Sequence, residues 1–226
     1  MVDPLVLRQV PLFAELSPEE LGGLAAALRR RRYPRGAVIF LAGDPNAQLY
    51  LVEAGRVRIG LTSPEGKEVV LTVLGPGDFF GDLSLLDGEP TSADAVAQED
   101  CRLLLLPRAA FLSFVEGQPR AAIALLAVLS RRLRRNARLI QDAAFLDVPA
   151  RLASALLQLA QAQGERRGAD GPPTAQVTQT ELAGMIGATR ESVNKWLGTY
   201  ERQGLIRRQR GAITVVQPEG LRRQLG

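Results

Sequence analysis

The hydrophobic and polar residues of this chain follow three successive patterns. Between Tyr33 and Pro107, short apolar runs separated by glycines predict a small antiparallel β-barrel or jelly roll of short strands. From Arg120 to Phe145, apolar residues recur every three or four positions, which predicts one long helix. Helical and strand patterns follow Pro149, so the predicted fold class is α+β. The barrel strands are predicted at Ala37–Leu41, Leu49–Glu53, Arg56–Leu61, Val69–Leu74 and Arg102–Leu106.

The segment before the barrel predicts a helix. Ser17 and Glu20 have the spacing of a capping box, and Pro18 suits the first turn. The run Arg29–Arg32 is expected at the C-terminal end of this helix, where positive charge complements the macrodipole. Within the barrel, Phe80–Asp87 combines a glycine, an acid and an apolar helical turn.

The long helix carries a narrow apolar seam with the a/d spacing of a coiled coil. The helix could instead pack on its own barrel, but arginines beside the seam make it too polar for full burial. The pattern therefore favours a two-fold dimer. The sequence pattern thus divides the chain into a barrel (1–118), a dimerisation helix with a hinge (119–147) and a C-terminal domain (148–226). The predicted interface residues are Leu126, Leu129, Leu133, Asn136 and Ile140.

The C-terminal domain opens with a helix predicted from Pro149 through Gln161, followed by a polar loop, Gly164–Pro173, expected to be exposed and mobile. Two short helices joined by a tight turn come next. The first begins at a capping box formed by Thr178 and Glu181 and exits at a glycine. Its apolar residues are Leu182, Met185 and Ile186.

The sequence of the second of these helices predicts contact with DNA. Thr189 is its N-cap, and its inner stripe is Val193, Trp196 or Leu197, and Tyr200. In a helix-turn-helix, the N-terminal residues of the second helix meet base edges in the major groove. Arginine and lysine can donate to guanine O6 and N7, and glutamate can accept from cytosine N4. The alternative is an ordinary helical hairpin with a solvated charged face. The polar residues grouped near this N-terminus are Arg190, Glu191, Asn194 and Lys195.

The segment after this helix favours the DNA hypothesis. Gly204–Ile206 and Ala212–Val216 predict two strands joined by the basic turn Arg207–Gly211, a wing suited to backbone phosphates. The predicted DNA contacts are Thr178, Gln179, Thr189, Arg190, Glu191, Asn194, Lys195, Arg208 and Arg210.

Charge and composition narrow the function further. Residues 1–147 carry 17 Lys+Arg against 18 Asp+Glu, whereas residues 148–226 carry 11 against 6, so the basic excess lies with the predicted DNA-binding segment. The absence of histidine excludes imidazole catalysis and histidine-bound metal, and one cysteine, Cys101, excludes an intrachain disulfide. We expect no enzyme activity. No signal peptide or membrane-spanning run is recognisable, so we expect a cytoplasmic protein with no membrane partner.

Four motifs occur in order along the chain: Pro34–Phe40 with Gly43–Asp44, Gly75–Leu86, Ala144–Val148 and Ala188–Val193. Together, and over nearly the whole length, they resemble the cyclic-AMP receptor protein family of bacterial transcription regulators. The resemblance implies a cyclic-nucleotide-binding barrel and a homodimer on a palindromic double-stranded DNA site, with RNA polymerase as a partner. It also implies that Arg190, Glu191 and Lys195 read a G-rich half-site. Lysine stands where the family often has arginine, and gives a point charge instead of a fork.

The resemblance further implies an effector pocket, from which this sequence departs. The family binds a cyclic nucleotide such as cyclic AMP through an acid, an arginine and a hydroxyl. Asp82 and Ser92 match the first and last, but Thr91 stands in place of the phosphate-binding arginine, and threonine cannot balance a buried anion. A cation could still come from Arg102, Arg108 or the long helix. If a cyclic nucleotide binds, the expected contacts are Gly81, Asp82, Leu83, Thr91, Ser92 and Asn136.

We therefore expect a dimeric, sequence-specific regulator that is ligand-independent or responds to an effector other than cyclic AMP. One alternative is a regulator of the same family that depends on cyclic AMP. Another is a cyclic-nucleotide sensor that acts through protein contacts and has a vestigial C-terminal domain. A cupin-type barrel enzyme would rely on histidine-bound metal, which this chain cannot supply.

Overall fold

The computed structural model describes residues 3–64, 66, 68–167 and 172–225. The chain divides into two compact units, Met1–Leu133 and Arg134–Gly226. The predicted helix with the capping box is confirmed as α1, Pro18–Ala27: Ser17 accepts from the Glu20 amide, and the Glu20 side chain accepts from the Ser17 amide.

The prediction that Arg29–Arg32 end this helix is wrong. Leu28 is already extended, and the first strand, β1, covers Arg29–Tyr33. Its partner is the antiparallel strand Cys101–Pro107, which becomes β8 in chain order, and the register places Arg29 opposite Leu105 and Tyr33 opposite Cys101. Backbone pairing with this apolar strand holds the arginines in an edge strand and leaves their side chains exposed.

The strands of the first unit form two four-stranded antiparallel sheets. The remaining strands are β2 (Val38–Phe40), β3 (Gln48–Ala54), β4 (Val57–Thr62), β5 (Glu68–Leu74), β6 (Phe79–Phe80) and β7 (Asp94–Ala97). One sheet has the order β1-β8-β3-β6, and the other has the order β2-β7-β4-β5. The five predicted strands are confirmed to within two residues at each end. The sequence did not predict β1, β6 or β7.

The predicted antiparallel β-domain is confirmed, and its two sheets form a sandwich. On β3, Leu49 and Leu51 pack into a cluster with α1, whereas Tyr50 and Val52 pack into a second cluster that also includes Val57 of the other sheet. Because side chains alternate along a strand, this central strand is buried on both faces. One sheet therefore lies between a helical layer and the second sheet.

Three helices complete this part of the chain. Asp82–Asp87 forms α2, within the predicted apolar helical turn, and Arg108–Gly117 forms α3. The predicted long helix is confirmed as α4, Pro119–Phe145, and the boundary between the two units falls within it. No single helix among the described residues is long and apolar enough to cross a membrane, although the bent pair α3 and α4 passes that test together by length and composition.

The second unit is built around α5, Val148–Arg167, which extends beyond the predicted end at Gln161. Part of the predicted loop is therefore helical, and residues 168–171 lie outside the described residues. The Tyr200 hydroxyl donates to the Pro149 carbonyl (2.8 Å), and burial, reinforced by Asp147, raises the pKa of Tyr200 to about 12. The other elements are β9 (Thr174–Gln176), α6 (Gln179–Ile186), α7 (Arg190–Arg202), β10 (Ile206–Gln209), β11 (Ala212–Val215) and α8 (Pro218–Arg222).

Candidate nucleic-acid interface and effector pocket

Helices α6 and α7 form the predicted helix-turn-helix. The Thr178 hydroxyl accepts from the Glu181 amide at the start of α6, and the Thr189 hydroxyl accepts from the Ser192 amide at the start of α7 (both 3.2 Å). Gly187 ends α6 with φ of +61°, a conformation that side chains with a Cβ rarely adopt. The sequence signals for both helix starts and for the turn are therefore confirmed.

Burial of one side of α7 determines which side chains face outward. Val193, Leu197 and Tyr200 are fully buried in the core of the second unit, while Trp196 is half-buried. This settles the open choice in favour of Leu197 as the inner-stripe residue. The opposite face exposes the four predicted polar residues, Arg190, Glu191, Asn194 and Lys195.

The charges on this outer face remain available to a partner. Within the described part of the chain, Arg190 and Glu191 form no ion pair. The Lys195 ammonium lies 5.9 Å from the centre of the Trp196 ring, a contact that leaves its donors accessible. A cationic, hydrogen-bonding helix face with unpaired charges can bind base edges and phosphates.

The wing is a three-stranded sheet in the order β10-β11-β9, one strand more than predicted. Arg210 lies exposed in the turn between β10 and β11, where it can reach a phosphate. Arg208 lies on β10, not at the tip of the wing. Its Nε donates to the Glu201 carboxylate at 2.7 Å, and its Nη1 donates to Asn194 Oδ1 at 3.2 Å. Among the other predicted contacts, Thr178 and Thr189 cap helices, and Gln179 donates to Asn194.

Three of the predicted effector residues, Gly81, Asp82 and Leu83, lie at the start of α2. Gly81 has φ of +83°, and a Cβ there would lie 2.8 Å from the Gln48 carbonyl oxygen, so this position needs glycine. Asp82 follows with a fully buried side chain, whereas Leu83 is exposed. Asn136 is exposed on α4 in the second unit.

A residue that the sequence did not identify neutralises Asp82. Arg132, on α4, donates through Nη1 to both carboxylate oxygens of Asp82 (2.7 and 2.9 Å). Its Nη2 donates to the Phe79 carbonyl (2.5 Å), and its guanidinium lies 4.8 Å from the centre of the Phe79 ring. The sequence allowed for an arginine from the long helix, but nothing singled out Arg132 among its neighbours. A buried carboxylate needs such a partner.

Thr91 is also committed to contacts within the domain. Its side chain is buried, and its hydroxyl donates to the Leu41 carbonyl (2.5 Å) and the Asp44 carbonyl (3.2 Å). Ser92 is exposed. Of the other two candidate cations, Arg108 donates to the Leu85 carbonyl and Arg102 pairs with Glu53. With its acid already paired and a buried threonine in place of the arginine, this set of residues does not fit an anionic cyclic nucleotide.

The predicted dimer seam is largely uncovered. Leu133 and Ile140 are each 71% exposed, and Leu126 and Ile123 are similarly exposed. Leu129 differs, because it is partly buried against the core of the first unit. Leu126, Leu133 and Ile140 are therefore exposed apolar residues spaced seven positions apart on α4, and Ile123 lies three positions before Leu126.

Two family models match the chain. The cyclic nucleotide-binding domain matches residues 30–118, and the Crp-like helix-turn-helix domain matches residues 150–224. A CRP-like cAMP-activated global transcriptional regulator of Mycobacterium tuberculosis is 36% identical over 97% of this chain and 98% of its own length. The cyclic AMP receptor protein of Thermus thermophilus is 40% identical over 92% of this chain and 94% of its own length.

Two solved structures are similar to this chain. The catabolite activator protein of Thermus thermophilus is 37% identical, with a TM-score of 0.54 over 95% of this chain and 98% of that protein. A CooA mutant from Carboxydothermus hydrogenoformans is 26% identical, with a TM-score of 0.81 over 96% of each chain.

Proposed function

The chain belongs to the cyclic-AMP receptor protein (CRP/FNR) family of transcription regulators, and we propose that it is a homodimer that binds a palindromic DNA site without requiring cyclic AMP. The observation that supports DNA binding without cyclic AMP is the ion pair between Arg132 and Asp82. An internal guanidinium occupies the carboxylate that the family uses for a cyclic nucleotide. The domain boundaries that we propose remain 1–118, 119–147 and 148–226.

DNA recognition is assigned to the exposed face of α7. Arg190 is suited to guanine O6 and N7, Glu191 to cytosine N4, and Lys195 to a guanine through a single charged donor. The exposed Arg210 at the wing tip is suited to a phosphate. Base contacts would then select the sequence, and the wing contact would add affinity for any sequence.

Dimerisation is assigned to the apolar stripe on α4. Leucine and isoleucine side chains at a spacing of seven residues lose their exposed area when two such helices pair. A two-fold dimer would present two α7 helices about one DNA turn apart, roughly 34 Å, which requires a palindromic site. We further propose that the DNA-bound dimer contacts RNA polymerase in the cytoplasm, as the family resemblance implies.

The names of the two relatives favour a second candidate, a regulator of the same family that responds to cyclic AMP. That function would need a cation for the cyclic phosphate that Thr91 does not supply. A cyclic-nucleotide sensor acting only through protein contacts is disfavoured, because the unpaired charges of α7 would then have no role.

The direct test is selection of DNA ligands from a random duplex library, using purified protein with no nucleotide added. The expected result is a palindrome with G-rich half-sites one turn apart. A single, non-palindromic half-site would contradict the proposed binding mode.

Assembly is tested by analytical ultracentrifugation of the double variant Leu133→Asp/Ile140→Asp. Both positions are exposed in the isolated chain, so the substitutions should leave each domain folded and place charges within the paired seam. A monomer is expected, with Arg138→Asp, beside the seam, as a dimeric control. An intact dimer in the double variant would mean that the interface lies elsewhere.

A further inference from the structure

A chain of polar side chains connects the wing to both helices of the helix-turn-helix. The Arg208 amide and Nε donate to the two carboxylate oxygens of Glu201 (3.0 and 2.7 Å). Arg208 Nη1 then donates to Asn194 Oδ1 (3.2 Å), which also accepts from Gln179 Nε2 (3.3 Å). The four residues come from β10, α7 and α6, so this hydrogen-bond network joins one strand of the wing to both helices of the helix-turn-helix.

The guanidinium determines how the Asn194 amide is oriented. An arginine side chain can only donate hydrogen bonds, so the atom of Asn194 that faces Arg208 has to be the carbonyl oxygen. That oxygen has two lone pairs, and Gln179 and Arg208 use both. The Nδ2 group of the exposed Asn194 side chain has no hydrogen-bond partner among the described residues, and its two hydrogens remain for an external acceptor.

The charge of Arg208 is also engaged. Hydrogen bonds from the Arg208 amide, and then from its side chain, hold the pKa of Glu201 below its ordinary value. Arg208 is about one-third exposed and paired at 2.7 Å, whereas Arg210 at the tip is exposed and forms no ion pair within the described ranges. The two wing arginines therefore differ in what they can offer to DNA.

Resting on the DNA-binding function proposed above, we propose that Arg208 is a positioning residue that makes Asn194 a donor-only reader of one base. A free asparagine pairs with adenine by donating to N7 and accepting from N6. Asn194 cannot accept, because Oδ1 is already saturated. Guanine, whose major-groove edge presents the acceptors O6 and N7, matches an amide that only donates. Arg208 thus sets a preference for guanine over adenine without touching DNA.

The test uses duplexes carrying each of the four base pairs at every position of the selected half-site, and measures binding by fluorescence anisotropy. The position read by Asn194 is the one whose preference is lost in Asn194→Ala. There, the wild-type protein is expected to favour guanine over adenine about tenfold, within the range of a good base contact. Arg208→Ala releases one lone pair of Oδ1, so this ratio should fall to about one.

Three variants separate positioning from a phosphate contact. Arg208→Lys keeps the charge but cannot bridge Glu201 and Asn194, so it should lose the guanine preference like Arg208→Ala. Arg210→Ala, the matched control, should keep the guanine preference and weaken binding to all duplexes alike. It should also lower the slope of log affinity against log salt concentration by about 0.9. In an Asn194→Ala background, Arg208→Ala should cause no further change in base preference. Circular dichroism melts confirm that each variant is folded.

The outcomes are distinct. If Arg208→Ala weakens every duplex equally and lowers the salt slope as Arg210→Ala does, Arg208 is a phosphate contact and the inference is wrong. If the wild-type protein favours adenine at the Asn194 position, the assigned amide orientation is wrong. If the wild-type protein shows no base preference at any position, the proposed function fails, and the role of Arg208 fails with it.

Discussion

The DNA-facing helix and the effector pocket use their charged side chains in opposite ways. On α7, Arg190 and Glu191 are exposed and unpaired within the described residues, so a partner can bind them without displacing anything. In the pocket, Asp82 is buried and already bonded to Arg132, and the Thr91 hydroxyl is bonded to two backbone carbonyls. A ligand there would have to break these contacts before making its own.

This difference has an energetic basis. An exposed charge costs little free energy in the unbound protein, because water solvates it. A buried carboxylate left without a ligand is strongly unfavourable unless the protein supplies a counter-charge. Arg132 supplies that counter-charge to Asp82, which supports the proposal that the protein binds DNA without a nucleotide.

The largest expected effect comes from breaking the pocket pair. Arg132→Ala should leave the Asp82 carboxylate buried without a counter-charge and lower the free energy of unfolding by about 3–5 kcal/mol. Urea denaturation followed by circular dichroism measures this. The neighbouring exposed Arg131→Ala should change the unfolding free energy by less than about 0.5 kcal/mol. Equal, small effects of the two substitutions would show that the Asp82 pair does not stabilise the domain.

The second effect would make the pocket resemble that of the rest of the family. Thr91→Arg restores the cation and should strengthen cyclic-AMP binding by about 1.5–3 kcal/mol, the value of a charge-assisted hydrogen bond. Thr91→Val is the control, since it removes the hydroxyl contacts to Leu41 and Asp44 without adding charge. Titration calorimetry showing the same gain for both variants would mean that charge is not the missing element.

The third effect lies on the DNA-facing helix. Arg190→Ala should weaken the selected site by about 1–3 kcal/mol and relax the preference for one guanine, with little change in folding stability. Arg202→Ala, at the far end of the same helix, removes an equal charge away from the base-reading residues and serves as the control. A uniform loss of affinity across all duplexes in Arg190→Ala would argue against a base contact.

The smallest effect separates helix capping from DNA contact. Thr189→Ala removes the hydroxyl that accepts from the Ser192 amide and should lower the unfolding free energy by about 1 kcal/mol. Thr189→Ser keeps the cap and should restore stability. If Thr189→Ala weakened DNA binding without changing the thermal melt, Thr189 would be a direct contact.

The DNA-binding unit was predictable because its signals are local. The capping box of α6 spans four residues, the N-cap bond of α7 spans four as well, and Gly187 marks the turn between them by its conformation. The sequence around Thr178 and Thr189 therefore determines the helix ends. The arginines at 29–32 have no such local signal. Their strand is created by pairing with residues 101–105, some seventy positions away, and sequence propensity does not show which partner a segment will meet.

For the same reason, only some of the residues of the predicted effector pocket could be identified from the sequence. The replacement of arginine by Thr91 is visible in the sequence, and so is the need for another cation. The identity of that cation is not, because Arg132 lies 50 positions from Asp82 among several similar arginines, and packing of α4 selects it. The same limit applies to Leu129, which was predicted to lie in the dimer seam but packs against the first unit, while Leu133 remains exposed.

The measurement that tests the central claim most directly is the affinity of the wild-type dimer for its selected duplex, with and without saturating cyclic AMP, paired with calorimetry of cyclic-AMP binding. The account predicts tight DNA binding without nucleotide, and a change on adding cyclic AMP of less than about fivefold, below the usual range of allosteric coupling. Micromolar or tighter cyclic-AMP binding, coupled to a large gain in DNA affinity, would contradict it.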